Sequence, residues 1–153
     1  LDDYLFKKGK KSYILDGDNI RSGLSNDLDF SDSGRHENIR RIGEAAKLFV
    51  DAGLIVITAF ISPFKKERQL CKDLLEKNEF IEIYINCPLD ICEKRDVKGL
   101  YKKARKGDII NFTGIDSPYE PPNNPDLTID TSTHSIKECV KQISEYLTIL
   151  NYI

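Results

Sequence analysis

Three observations predict an α/β fold with three layers, a parallel β-sheet flanked by helices on both faces. Short apolar segments alternate with longer stretches whose apolar residues recur at three- and four-residue spacing, the pattern of successive βαβ units. One apolar segment, Leu54 to Phe60, is continuous, as in strands covered on both faces of a parallel sheet. The first segment, Tyr13-Ile14-Leu15, runs directly into Asp16-Gly17-Asp18-Asn19-Ile20-Arg21. That puts carboxylates and a guanidinium where open α/β sheets hold ligands, and the arginine suggests an anionic one.

Leu1, Tyr4 and Leu5 stand at helical spacing before the basic, glycine-marked helix end Lys7-Lys8-Gly9-Lys10-Lys11. A strand follows over Ser12 to Asp16, then a loop containing Gly23, Ser25, Asn26 and Asp27 that carries Phe30 to Gly34. The spacing of Ile39, Ile42, Ala46, Phe49 and Val50 predicts a helix over Arg35 to Asp51, closed by Gly53. After the Leu54–Phe60 strand, Pro63 is expected to open a helix with Leu70, Leu74 and Leu75 inward. Phe80 to Asn86 alternates as a third strand, and Pro88 to Arg95 reads as a short helix. A basic segment, Lys98 to Lys106, precedes a long loop from Asn111 to Pro125, a length that usually signals function or mobility. A last strand spans Leu127 to Asp130. The closing helix, Ile136 to Leu150, has Ile136, Val140, Ile143, Leu147 and Leu150 on one stripe.

With 153 residues and 40% hydrophobic content, one domain over residues 1–153 is expected. Lysine and arginine number 23 against 25 acids, a net charge of −2 that argues against generic nucleic-acid or membrane adhesion and for a small-molecule partner. Cys71, Cys87, Cys92 and Cys139 lack the spacing of a disulfide framework or a zinc site, so free thiols in a reducing, cytoplasmic compartment are expected. No apolar run approaches a bilayer span and no signal-peptide pattern opens the chain. The absence of methionine reads as a fragment or trimmed chain that begins inside a helix.

Four segments carry residues suited to chemistry. In the first, Asp18 can hold Mg²⁺ through its water shell or accept a proton from an attacking hydroxyl, and Arg21 can fork onto phosphate or sulfate. Asp-Gly-Asp-Asn is equally good turn chemistry, with Asp18 as the cap of a following helix. In the second, Arg35 and Asn38 share one helix face and can point into a cleft; the competing reading is a solvated arginine face, with His36 at the surface. In the third, Ser62 lies between a buried strand and Pro63, where it could be a nucleophile, a ligand contact or, by default, an N-cap. That the chain has only His36 and His134 argues against a Ser-His-Asp triad. In the fourth, six cations fall between Arg95 and Lys106, followed by Asn111-Phe112-Thr113-Gly114 in a glycine- and proline-punctuated loop. That composition suits a mobile lid over polyphosphate, with Phe112 free to stack on a base; the plainer alternative is a solvated amphipathic helix.

Taken in order, Leu15–Arg21, Glu37-Asn38-Ile39-Arg40-Arg41, Phe60–Phe64, Lys98–Arg105 and Phe112–Ser117 resemble the signatures of the adenylylsulfate kinase (APS kinase) family, over nearly the whole chain. The resemblance implies a P-loop kinase fold. It also implies transfer of the ATP γ-phosphoryl group to the 3′-hydroxyl of adenylyl sulfate, with Mg²⁺. It implies that Asp18 stands by metal and phosphoryl group. Arg21, Arg35, Asn38, Ile61 and Ser62 would contact adenylyl sulfate, and Phe30 and Phe112 would sandwich its adenine. Lys98 and Asn111 would complete that pocket, while Arg95, His134 and Cys139 would lie by the adenine of ATP. A homodimer and a fused or associated ATP sulfurylase are compatible with it. The departure is the family's phosphate-binding loop: no G-x-x-x-x-G-K-[ST] occurs in these residues, so that loop and the sheet's first strand are expected upstream of Leu1 and the chain is expected to be weakly active or inactive. The alternatives are another small-molecule kinase of the same fold, acting on a nucleoside monophosphate or gluconate, and a non-catalytic module that keeps the adenylyl sulfate pocket.

Overall fold

Two parallel strand pairs and seven helices make up the computed structural model, which describes residues 1–153. In chain order these are α1 (Asp2–Lys7), β1 (Ser12–Asp16), α2 (Gly17–Ser22), α3 (Asp32–Asp51), β2 (Ile55–Ala59) and α4 (Lys65–Asp73). They continue with β3 (Ile83–Asn86), α5 (Leu89–Arg95), α6 (Leu100–Arg105), β4 (Leu127–Asp130) and α7 (Ile136–Ile149). β1 pairs with β2 in the register Ile14 to Ile57, and β3 with β4 in the register Ile85 to Ile129. β2 and β3 are not hydrogen-bonded to each other.

Side-chain alternation along the strands produces the three layers. Ile55 and Ile57 of β2 point to one face, where they meet Ile83, Leu127 and Ile129 from the other pair, Leu5 of α1, and Ile143 and Leu147 of α7. Val56 points to the opposite face with Leu15, against Ile39, Ile42 and Ala46 of α3 and Cys71 of α4. The α3/α4 seam is tight: a Cβ on Gly43 would lie 3.0 Å from both Cys71 Sγ and Leu74. Burial there pushes the Cys71 thiol up to about 11, so it stays protonated as a packing group. All four cysteines are free.

Several expectations are adjusted. α3 begins at Asp32 because Ser31 Oγ accepts the Gly34 amide, a cap that adds a turn before Arg35. α4 begins at Lys65, two residues after Pro63, and its first amide is satisfied by Glu120 Oε2 at 2.7 Å. Leu75 lies beyond its end, and its buried residue is Glu67. β2 is covered on both faces only in its first half; Thr58 and Ala59 are exposed, as befits a strand with one unpaired edge. β3 is shorter than the alternating run because its pairing with β4 starts at Ile83. On α7, Ile143 and Leu147 are buried and Ile136 is 85% exposed at the first turn, where a Ser135–Glu138 capping box rather than packing holds the helix. No helix is long and apolar enough to cross a membrane.

Two measurements check this architecture. Ile129 is fully buried where β3, β4, α1 and α7 meet, so Ile129→Ala is expected to lose about 2–5 kcal/mol in denaturant unfolding. Glu37 accepts from Arg40 and Arg41, which hold its carboxyl down at about 2 against an ordinary 4.5. Its folded form therefore releases its proton more readily than the unfolded one. The stabilisation is complete above pH 4.5 and fades as pH falls toward 2. Across that window the melting temperature of Glu37→Gln is expected to fall less steeply than that of the native chain.

Candidate functional site

Each strand end delivers a polar segment, and long-range bonds gather these segments. After β1, Asp16 rather than Asp18 caps α2: Asp16 Oδ1 accepts the Asp18 amide at 2.9 Å and the Asn19 amide at 3.4 Å. Asp18 is thereby released from capping, and its carboxylate is 80% exposed. Lys98 Nζ donates to Asp18 Oδ2 at 2.6 Å from 80 residues away, bringing the basic segment onto the acid; this bond holds the Lys98 ammonium above its ordinary value. The basic segment itself folds as α6, its first amides (Tyr101 and Lys102) donated to the Asp96 carboxylate.

Arg21 and Arg35 converge on Phe30. The Arg21 guanidinium carbon sits 4.2 Å from the Phe30 ring centroid and that of Arg35 5.9 Å from it. Arg21 Nη1 donates to the carbonyls of Leu28 and Asp29. Arg35 donates to the carbonyl of Phe30, to Thr113 Oγ1 at 3.2 Å and to the Asn111 carbonyl at 2.6 Å. Neither guanidinium has a carboxylate partner, whereas Arg40, Arg41, Arg68 and Arg105 all do. Partial burial and the neighbouring Arg35 charge hold Arg21 below the usual arginine value.

Phe30 is 58% exposed, with one ring face under Arg21. Phe112 is half-buried and meets Tyr101 edge-on at 5.0 Å. The two rings belong to segments that Arg35 ties together, but they do not stack on each other. Asn111 has φ +58, and the Asp116 carboxylate accepts the amides of Asn111 and Phe112, so the loop is internally braced. Gly34 was not singled out from sequence. A Cβ there would fall 2.6 Å from the Asp29 carbonyl oxygen, so the turn presenting Phe30 requires glycine at that position. Asn38 is buried, and its Oδ1 has no hydrogen-bond partner.

Ser62 is not the cap of α4. It adopts φ +44, a left-handed backbone that costs a non-glycine residue about 1–2 kcal/mol, and its carbonyl accepts from Arg68 Nη1 at 2.6 Å. Ile61 beside it is 60% exposed. At the end of β4, Arg95 donates to the Thr131 carbonyl at 2.6 Å, His134 Nδ1 lies 2.9 Å from the Asp130 carbonyl oxygen, and Cys139 Sγ lies 3.9 Å from that of His134. Arg95, His134 and Cys139 thus share one corner.

No group of three or more acidic, histidine or cysteine side chains is arranged to hold a metal ion. The Asp18 carboxylate is exposed but paired with Lys98 at 2.6 Å, so a cation such as Mg²⁺ would have to share it with that lysine.

The family model described as adenylylsulphate kinase matches residues 1–130. The adenylyl-sulfate kinase of Prochlorococcus marinus is 61% identical over 149 residues, covering 97% of this chain and 74% of that protein. That of Staphylococcus epidermidis is 57% identical over 153 residues, covering 100% and 77%. The structure of the Mycobacterium tuberculosis APS kinase CysC in complex with AMPPNP and APS superposes with a TM-score of 0.91 at 43% identity, covering 96% of this chain and 86% of that one. A hexameric APS kinase from Thiobacillus denitrificans superposes at 0.72 with 29% identity, covering 99% and 25%. A match over most of the chain, together with relatives at this identity, means that the chain belongs to the adenylylsulphate kinase family.

Proposed function

We propose that these residues form the acceptor side of an adenylyl-sulfate kinase, which transfers the ATP γ-phosphoryl group to the 3′-hydroxyl of adenylyl sulfate and yields 3′-phosphoadenylyl sulfate. The observation that carries the reading is the convergence of Arg21 and Arg35, neither ion-paired, on an exposed aromatic ring. Two adjacent cations with no direct ion pair favour an anion, and a flat ring beside them favours a base, the combination that a nucleotide bearing sulfate presents.

In this reading Phe30 and Phe112 hold the adenine of adenylyl sulfate, and Arg21 and Arg35 fork onto its phosphosulfate. Arg21 leaves the Phe30 face as the base enters. Asn38, whose buried Oδ1 is without a donor, takes a polar hydrogen of the acceptor. Ile61 and Ser62 line the same pocket, with Ser62 as a ligand contact in a direct in-line transfer. Lys98 and Asn111 close it from the lid, and Asp18 takes the proton leaving the acceptor hydroxyl. Asp18 would hold Mg²⁺, which would supply charge neutralisation at the ATP phosphates. Arg95, His134 and Cys139 flank the adenine of ATP. Four free thiols fit a cytoplasmic setting. A homo-oligomer and an associated or fused ATP sulfurylase are further expectations.

The phosphate cradle is assigned to a strand outside these residues. β2 and β3 contribute Ile55, Ile57 and Ile83 to one core cluster yet are not hydrogen-bonded to each other, which leaves an edge of each open to a further parallel strand. A glycine-rich loop at its end would bring backbone amides and a lysine to the β- and γ-phosphates.

Calorimetry with adenylyl sulfate tests the pocket. Changing Phe30 and Phe112 together to alanine is expected to weaken binding by at least about tenfold; unchanged affinity points instead to an acceptor without a base. A coupled assay tests the cradle: a version extended upstream through a phosphate-binding loop is expected to turn over, and this chain to be weak or inactive. Equal turnover by both rules out the proposed strand, and binding without conversion even in the extended version favours a non-catalytic module.

A further inference from the structure

Arg68, on the second turn of α4, reaches four groups from a side chain only 12% exposed. Its Nε donates to Glu82 Oε1 at 2.8 Å, Nη1 to the Ser62 carbonyl at 2.6 Å and Nη2 to the Glu120 carbonyl at 2.7 Å. The Tyr119 ring centroid lies 5.8 Å from its guanidinium carbon. Nothing in the acceptor chemistry uses this residue directly. Its bonds instead join the strained turn after β2 to the far end of the loop that carries Asn111 and Phe112. The same junction is bound twice more, by the Glu120 amide on the Pro63 carbonyl and by the Lys65 amide on Glu120 Oε2.

Ser62 holds φ +44, a conformation serine adopts only where its surroundings impose it. An arginine fork is suited to imposing it, because its donors are fixed in one plane while one edge is anchored by a carboxylate. We propose that Arg68 is a positioning residue for the adenylyl sulfate pocket. Anchored on Glu82, it clamps the left-handed Ser62 backbone and the Tyr119–Glu120 end of the lid loop, so that Ile61, Ser62 and the loop meet the acceptor in one arrangement. This rests on the acceptor reading above.

The test is a double-mutant cycle on the full chain, with adenylyl sulfate affinity read by calorimetry and folding by thermal melting. Arg68→Lys keeps the charge but loses the fork, and is expected to weaken binding about tenfold or more with Ser62 present. Ser62→Gly makes the left-handed backbone free of strain. In that background the same Arg68→Lys change is expected to cost less than about threefold, since strain no longer has to be opposed. Equal losses in both backgrounds overturn the proposal. Glu82→Gln is the second arm, and decides the matter if Ser62→Gly alone binds too weakly to measure. It removes the charge of the anchor while an amide oxygen can still accept from Nε and both carbonyl bonds remain, so it is expected to lower the melting temperature as Arg68→Lys does but to hold affinity within about threefold. A loss of affinity as large as that of Arg68→Lys means that Arg68 acts only through stability. A native chain with no affinity for adenylyl sulfate removes the acceptor reading and the proposal together, an outcome distinct from normal native binding that Arg68→Lys leaves intact.

Discussion

A parallel strand pair cannot be closed by a hairpin, so the chain must leave each strand, cross a face and return, and the segments leaving the strand ends become available for chemistry. Here that constraint acts twice, once in β1–β2 and once in β3–β4. Helix α3 makes the first crossover, and α5, α6 and the long loop make the second. Two side chains then join the results: Lys98 reaches Asp18, and Arg35 reaches Asn111 and Thr113. The candidate site is thus assembled where the two pairs' outgoing segments meet, on a scaffold in which β2 shares an apolar cluster with β3 and β4 without hydrogen-bonding to either.

Periodicity conveyed the architecture because burial on one face repeats in sequence. The strand Ser12–Asp16 and the strand Leu127–Asp130 are found at their expected limits, and α3 buries Ile39, Ile42 and Ala46 as its spacing implies. What pattern could not supply was local competition between acceptors. Asp16 and Asp18 are both good caps; only the backbone geometry decides that Asp16 caps and Asp18 turns to Lys98. Pro63 is a sound helix opener, yet Glu120, distant in sequence, supplies the acceptor that sets the start at Lys65. Ser62 is a natural cap by residue type, and a left-handed turn takes it out of that role.

Among the candidate site residues, Arg21, Arg35 and Lys98 stand out in the sequence by charge, Phe30 and Phe112 by aromatic character, and Ser62 by its place between a strand and Pro63. Gly34 and Arg68 do not. Gly34 is required by a close approach of the Asp29 backbone, and Arg68 looks, in sequence, like one more cation on a polar helix. Both act on backbone, Gly34 beside Asp29 and Arg68 on the Ser62 and Glu120 carbonyls, and contacts of that kind leave a mark only in three dimensions.

Two pairs of strands also present more open backbone than one continuous sheet of four. The inner edges of β2 and β3 carry unpaired amides and carbonyls beside Ile85, which is 55% exposed. Such rows recruit any extended apolar segment of matching length, including another copy's. The strand proposed above would satisfy both rows at once, so one further segment would turn two separate pairs into one sheet.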